Sequence, residues 1–172
     1  MILLGIDCGI TNYALSVLDY NKNNDKNIFQ NIKILHSEKI NIDSKITNKS
    51  QILVKRIRFL VQYLSDIKDK YNPTIACIEQ QMKSATVNYE IMSISAAILT
   101  CIGLDVHIVS PSDKYKIMEL ESNFTSYRNL KEKSSTFIRE KFPDVESIAI
   151  EDKKDDLTDS IFIAIQYIKR NL

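Results

Sequence analysis

The chain has 172 residues, of which 44% are hydrophobic, and a formal net charge of +1. That length is enough to bury a core as one domain spanning 1–172, and the composition excludes a disordered chain. No apolar run approaches the roughly 20 residues of a membrane span, the N-terminus lacks a secretion-signal pattern, and the near-zero charge excludes a nucleic-acid binder working through an overall basic field.

Cys8, Cys77 and Cys101 show no metal-ligand spacing, and their odd number in apolar surroundings predicts buried, reduced thiols in a cytosolic compartment. His36 and His107 are too few for a zinc site and read as ordinary strand residues.

The chain opens on Ile2, Leu3, Leu4 and Ile6, a short apolar run that fits a strand buried on both faces. Asp7 stands at its end, between Gly5 and Gly9, two of only three glycines in the chain. Glycines so placed let backbone, metal or phosphate come close, or let the chain turn tightly. A carboxylate there needs a cation or a hydrogen-bond partner; a simple turn cap is the alternative. Tyr13 to Tyr20 and Ile32 to Ile42 read as two further strands, with a polar turn between them from Asn21 to Asn27. Three strands joined in this way form an antiparallel meander.

Asn48 to Tyr71 reads as a helix with Leu53, Ile57, Leu60, Val61, Leu64 and Ile67 on one face. Thr47, Asn48 or Ser50 can cap it, and Pro73 ends it. Thr74 to Gln80 is another buried strand, finishing on Glu79. Thr86 to Ile102 is helical with Gly103 as its stop, and Ser93, Ala96, Ala97 and Thr100 form a small-residue face. Asp105 to Val109 is a fifth strand. Ser110-Pro111-Ser112-Asp113 opens a helix of about ten residues. Asn123 to Asn129 breaks the pattern. Lys131 to Phe142 is helical and basic, and a last helix starts near Asp155 or Asp156 with Leu157, Ile161, Ala164, Ile165 and Ile168 inward. This succession of strands and helices predicts an α/β fold: a five-stranded mixed sheet, three strands antiparallel and two parallel, with helices on both faces.

In that topology the first and fourth strands are parallel neighbours, so Asp7 and Glu79 emerge at one edge. Asp156 and Asp159, three apart on a helix, share a face in its first turn. Helix capping explains those two taken alone. If the helix start packs at the same edge, four carboxylates converge and need hard cations to offset their repulsion. An all-oxygen donor set selects Mg²⁺ or Mn²⁺. Two such ions about 3.5–4 Å apart can activate a water and stabilise the leaving oxygen of a phosphodiester.

Gly5-Ile-Asp7-Cys-Gly9-Ile-Thr-Asn12, Ile78-Glu79-Gln80 and Asp156-x-x-Asp159-Ser-Ile-Phe-Ile-Ala164 resemble, in order and from end to end, the motifs of RuvC-type Holliday junction resolvases of the RNase H-like superfamily. The poxvirus resolvases are the most similar in Lys153-Lys154-Asp155-Asp156 and in the Asn/Ile-rich composition. The resemblance implies an RNase H-like fold, a homodimer, and Mg²⁺-dependent nicking of two opposed strands of a four-way DNA junction, in the host cytoplasm if viral. It places the family acids on Asp7, Glu79, Asp156 and Asp159, with Asp155 adjacent, and a family lysine on Lys133, with Lys131 as the register alternative. Asn12, Gln80, Met82, Lys83 and Lys131 are candidate DNA contacts. One departure stands out: Gln81, Met82 and Lys83 occupy the place where bacterial members carry an aromatic wedge.

A two-fold junction suits a two-fold protein, and the small-residue helix is the candidate interface. Basic residues on the Asn48 and Lys131 helices are candidates to track phosphates. Three other readings compete. The first motif also resembles the phosphate-binding strand of sugar kinases and actin-like ATPases, which need two such domains. The others are a nuclease of broader branched-DNA or hybrid specificity and a non-catalytic junction binder.

Overall fold

The computed structural model describes residues 1–22, 27–46, 50–111, 117, 127–143, 145 and 155–172. One mixed sheet contains β1 (Ile2–Asp7), β2 (Tyr13–Tyr20), β3 (Ile32–Ile40), β4 (Ile75–Glu79) and β5 (Asp105–Val109), in the order β3-β2-β1-β4-β5. β1, β2 and β3 are antiparallel neighbours. β4 runs parallel to β1, and β5 parallel to β4. This is the expected sheet.

Helices α1 (Ile52–Tyr71) and α2 (Thr86–Cys101) cover one face, and α3 (Tyr127–Lys141) and α4 (Asp155–Asn171) the other. The apolar run of β1 serves both. Leu4 and Ile6 pack with Leu60, Leu64 and Ile91, whereas Leu3 packs with Ile161, Phe162 and Ile165. Alternate residues of a strand face opposite ways, so a strand covered on both sides carries no polar stripe.

Several boundaries differ from the sequence reading. α1 begins at Ile52, after Gln51 in a left-handed conformation (φ 55°, ψ 41°) with no side-chain cap hydrogen bond. Thr47 and Asn48 lie outside the described residues, and Ser50 precedes that turn instead of capping it. Only Leu60, Leu64 and Ile67 of the expected stripe are buried; Leu53, Ile57 and Val61 are exposed. The sheet covers the second half of the helix, and at about 100° per residue Val61 lies on the flank of the stripe.

α3 begins at Tyr127, so 127–129 are helical where a break was expected. The helix expected after Pro111 falls largely outside the described residues. α4 is buried on all sides from Leu157 to Ile168, rather than along one face. It lies between the sheet and α3, where Phe162 stacks on Phe137 at 6.0 Å between ring centroids. The enclosed stretch therefore includes polar residues, Thr158, Asp159, Ser160 and Gln166, beside its apolar ones. Cys8 and Cys77 are buried as expected, but Cys101, at the end of α2, is exposed.

Candidate active site

The register of the sheet builds the site. Gly5 pairs with Ser16 on β2 and Cys77 on β4, and Ser16 pairs with Ser37 on β3. These residues face α4. Little side-chain bulk projects from this row, so the helix backbone comes down onto it. A Cβ at Gly5 would overlap the carbonyl oxygen of Ser160 and approach the Ala164 Cβ to 3.1 Å. The buried Ser16 hydroxyl meets Ser160 Oγ at 2.6 Å and Ser37 Oγ at 2.8 Å, and Ser160 Oγ donates to the Leu157 carbonyl at 2.8 Å. A chain of hydroxyls therefore ties the first turns of α4 to two strands.

One pleat further along, on the same face, lies the row that carries charge. Asp7 pairs with Ala14, and Ala14 with Lys39. Ile6 pairs with Ile78, so Asp7 and Glu79 follow side by side at the ends of parallel strands. Neighbouring strands are about 4.8 Å apart. Asp156 is one helical turn before Ser160, which brings it above this row. Asp159 is 6% exposed, and Asp156 Oδ2 lies 3.9 Å from Lys39 Nζ. Glu79 accepts a hydrogen bond from Gln81 Nε2 at 3.3 Å.

The structure thus brings the four predicted carboxylates to one end of the sheet. All donate oxygen, the donor set that suits a hard divalent cation. The neighbouring Cys8 thiol packs in the core on the opposite face of the sheet; full burial pushes its pKa up, and the charges of Asp7 and Glu79 push it further, against a hydrogen bond from Ser95. Among the described residues no three such side chains are yet close enough together to hold an ion.

Lys133 is exposed on α3. Its neighbour Ser135 meets Thr158 at 3.4 Å between hydroxyl oxygens, which sets this turn of α3 beside the turn of α4 that carries Asp159. Lys131 lies one half-turn earlier in the same helix. Asn12 is exposed in the turn after β1, where a Cβ on Gly9 would come within 3.0 Å of the Asn12 carbonyl oxygen. Gly9 therefore serves a tight turn, and Gly5 a close helix. Gln80, Met82 and Lys83 line a groove of about 590 Å³ beside the end of β4.

Two residues of this region were missed in the sequence. Tyr89 lines the same groove and is 37% exposed. It supplies an aromatic where Gln81, Met82 and Lys83 do not, ten positions after Glu79 because the first turn of α2 carries it back. Lys39 looked like an ordinary strand charge. Its place in the Asp7 row is visible only once the β2–β3 register is known.

A sheet of this order, with a buried helix laid across β1 and β2 and acids gathered at the strand ends, is the RNase H-like fold in its RuvC-type form. The fowlpox virus Holliday junction resolvase is similar over the full length of both chains, at 21% identity and a TM-score of 0.69. Fowlpox virus resolvase in complex with substrate Holliday junction DNA matches at 20% identity and 0.68, covering 100% of this chain and 99% of that one. Thermus thermophilus RuvC in complex with a Holliday junction substrate matches at 16% identity and 0.71, covering 99% and 97%. No curated protein sequence matches this chain. The chain belongs to the poxvirus A22 protein family, whose model matches residues 1–171.

Proposed function

We propose that this protein is a Holliday junction resolvase: a metal-dependent endonuclease that nicks opposed strands of four-way DNA junctions by phosphodiester hydrolysis. The observation that carries the reading is the side-by-side placement of Asp7 and Glu79 beneath the first turn of α4, where Asp156 and Asp159 lie. Membership of a poxvirus family and likeness in fold to resolvases solved with junction DNA support it. Membership of a poxvirus family also supports a site of action in the host cytoplasm. Among the described residues no helix is long and apolar enough to cross a membrane.

Asp7, Glu79, Asp156 and Asp159 would hold the metal, with two Mg²⁺ per site as the finer reading and Mn²⁺ as a substitute. Bound divalent ions supply Lewis-acid activation of water and neutralise charge on the phosphate. The protein's own part is to fix these carboxylates on rigid elements: two adjacent strand ends and a helix pinned by the Ser16–Ser160 contact. Lys133 supplies a cation toward the phosphate. Asn12 and the groove lined by Gln80, Met82 and Lys83 are the contacts we assign to junction strands, and Tyr89 offers a ring on which a base can stack.

The reading includes one nuclease domain over 1–172 and a two-fold dimer, so that one site meets each of two strands. Ser93, Ala97 and Thr100 are exposed on α2, and Leu53, Val54, Ile57 and Val61 on α1, which leaves apolar and small-residue surface for a second copy.

The test is Mg²⁺-dependent digestion of a synthetic four-way junction beside a Y-structure and a linear duplex, with Asp7→Asn as control. Paired nicks in the junction alone are expected. Equal cutting of all three substrates would replace the junction reading with a broader nuclease, and full activity in EDTA would end the metal reading.

A further inference from the structure

Lys39 belongs to no motif that led to the site, yet it lies within it. It is on β3, an edge strand, where lysines usually stand in solvent and discourage strand pairing. This one does not. Its side chain is only 17% exposed, folded toward α4, and its ammonium lies 3.9 Å from Asp156 Oδ2. It shares a cross-strand row with Asp7, and only the methyl group of the fully buried Ala14 stands between the two strands. The separation is long for an ion pair and too long for a hydrogen bond, so the pairing can be exchanged.

We propose that Lys39 is a positioning residue for the metal site. In the metal-free protein its ammonium draws Asp156 away from Asp7 and Glu79 and offsets part of their mutual repulsion. A divalent cation binds by taking Asp156 from it. Lys39 thus sets the metal concentration at which the carboxylates close into a coordinating group. The inference rests on the metal-site reading above, and its observed contact is the one to Asp156.

The test is binding of Mn²⁺ without DNA, read by water-proton relaxation and calorimetry on the full chain. Lys39→Met keeps the apolar stem and removes the charge. It is expected to tighten Mn²⁺ binding by up to about fivefold, the scale of a weak, partly screened ion pair. Lys39→Arg is expected to restore the wild-type value. In an Asp156→Asn background, Lys39→Met is expected to tighten binding less than it does in the wild type.

Unchanged or weaker binding in Lys39→Met overturns the proposal. So does equal tightening in the Asp156→Asn background, which would make the effect one of overall charge. An Asp7→Asn protein that binds Mn²⁺ like wild type, while the Lys39–Asp156 coupling persists, would count against the metal-site reading and leave this pairing standing. A thermal melt of each variant separates these effects from loss of fold.

Discussion

Gly5 on β1 lies directly beneath the Ser160 carbonyl of α4, so closely that any side chain at residue 5 would overlap it. This contact sets the height of the last helix above the sheet, and with it the distance from Asp156 and Asp159 to Asp7. Gly5→Ala therefore tests packing and site together. Overpacking of this kind costs about 1–3 kcal/mol. The expected result is a lower melting temperature and a higher metal requirement for cleavage, measured by thermal unfolding and by Mg²⁺ titration of activity.

The hydroxyl chain through Ser37, Ser16 and Ser160 is a gentler probe of the same register. Ser160→Ala removes the bonds to Ser16 and to the Leu157 carbonyl but leaves Ser16 its bond to Ser37. A loss of about 1 kcal/mol is expected from denaturant unfolding. Because the first turn of α4 is then less well anchored, turnover should fall more than junction affinity does.

For the carboxylates, amide substitution removes charge with little change of shape. Asp7→Asn, Glu79→Gln, Asp156→Asn and Asp159→Asn are each expected to cut the cleavage rate by at least about a hundredfold. Gel-shift affinity for the junction should survive, since DNA affinity comes mainly from phosphate contacts elsewhere. An Asp7→Asn protein that cleaves at the normal rate would remove the site from this end of the sheet.

Lys133 separates two possibilities. If its cation meets the scissile phosphate, Lys133→Ala should slow turnover by about a hundredfold and Lys133→Arg should restore part of it. Normal single-turnover kinetics for Lys133→Ala would make it a surface lysine.

The thiols give a check independent of DNA. Burial pushes Cys8 and Cys77 up, with Asp7 and Glu79 adding to the effect at Cys8 and Asp105 at Cys77. Iodoacetamide should therefore modify only Cys101 in the native protein and all three cysteines after unfolding. The folded state holds these protons more tightly than the unfolded chain. Stability from this source is fully present below about pH 8.5, the ordinary thiol value, and falls as pH rises above it. Chemical denaturation at pH 7 and pH 10 measures the difference.

Much of the architecture was legible because β1 and β4 are short apolar runs ending in acids, and because Pro73 and Gly103 mark helix ends. The Asp7–Glu79 adjacency followed from topology alone. What was not legible depended on partners far away in sequence. The exposure of Leu53, Ile57 and Val61 depends on how far the sheet extends beneath α1. The burial of α4 on every side depends on α3 above it. Lys39 entered the site through strand register, which no local pattern encodes. Tyr89 did so through the direction of α2.

Asp7 and Asp159 are separated by most of the sequence, yet the fold brings both to one end of the sheet. The β1–β4 pairing closes only after more than seventy residues have emerged, and α4 docks later still. A nascent or truncated chain thus holds the strand-end acids without their helix. Any chain interrupted before this helix lacks two of the four acids, whatever else of the sheet has formed.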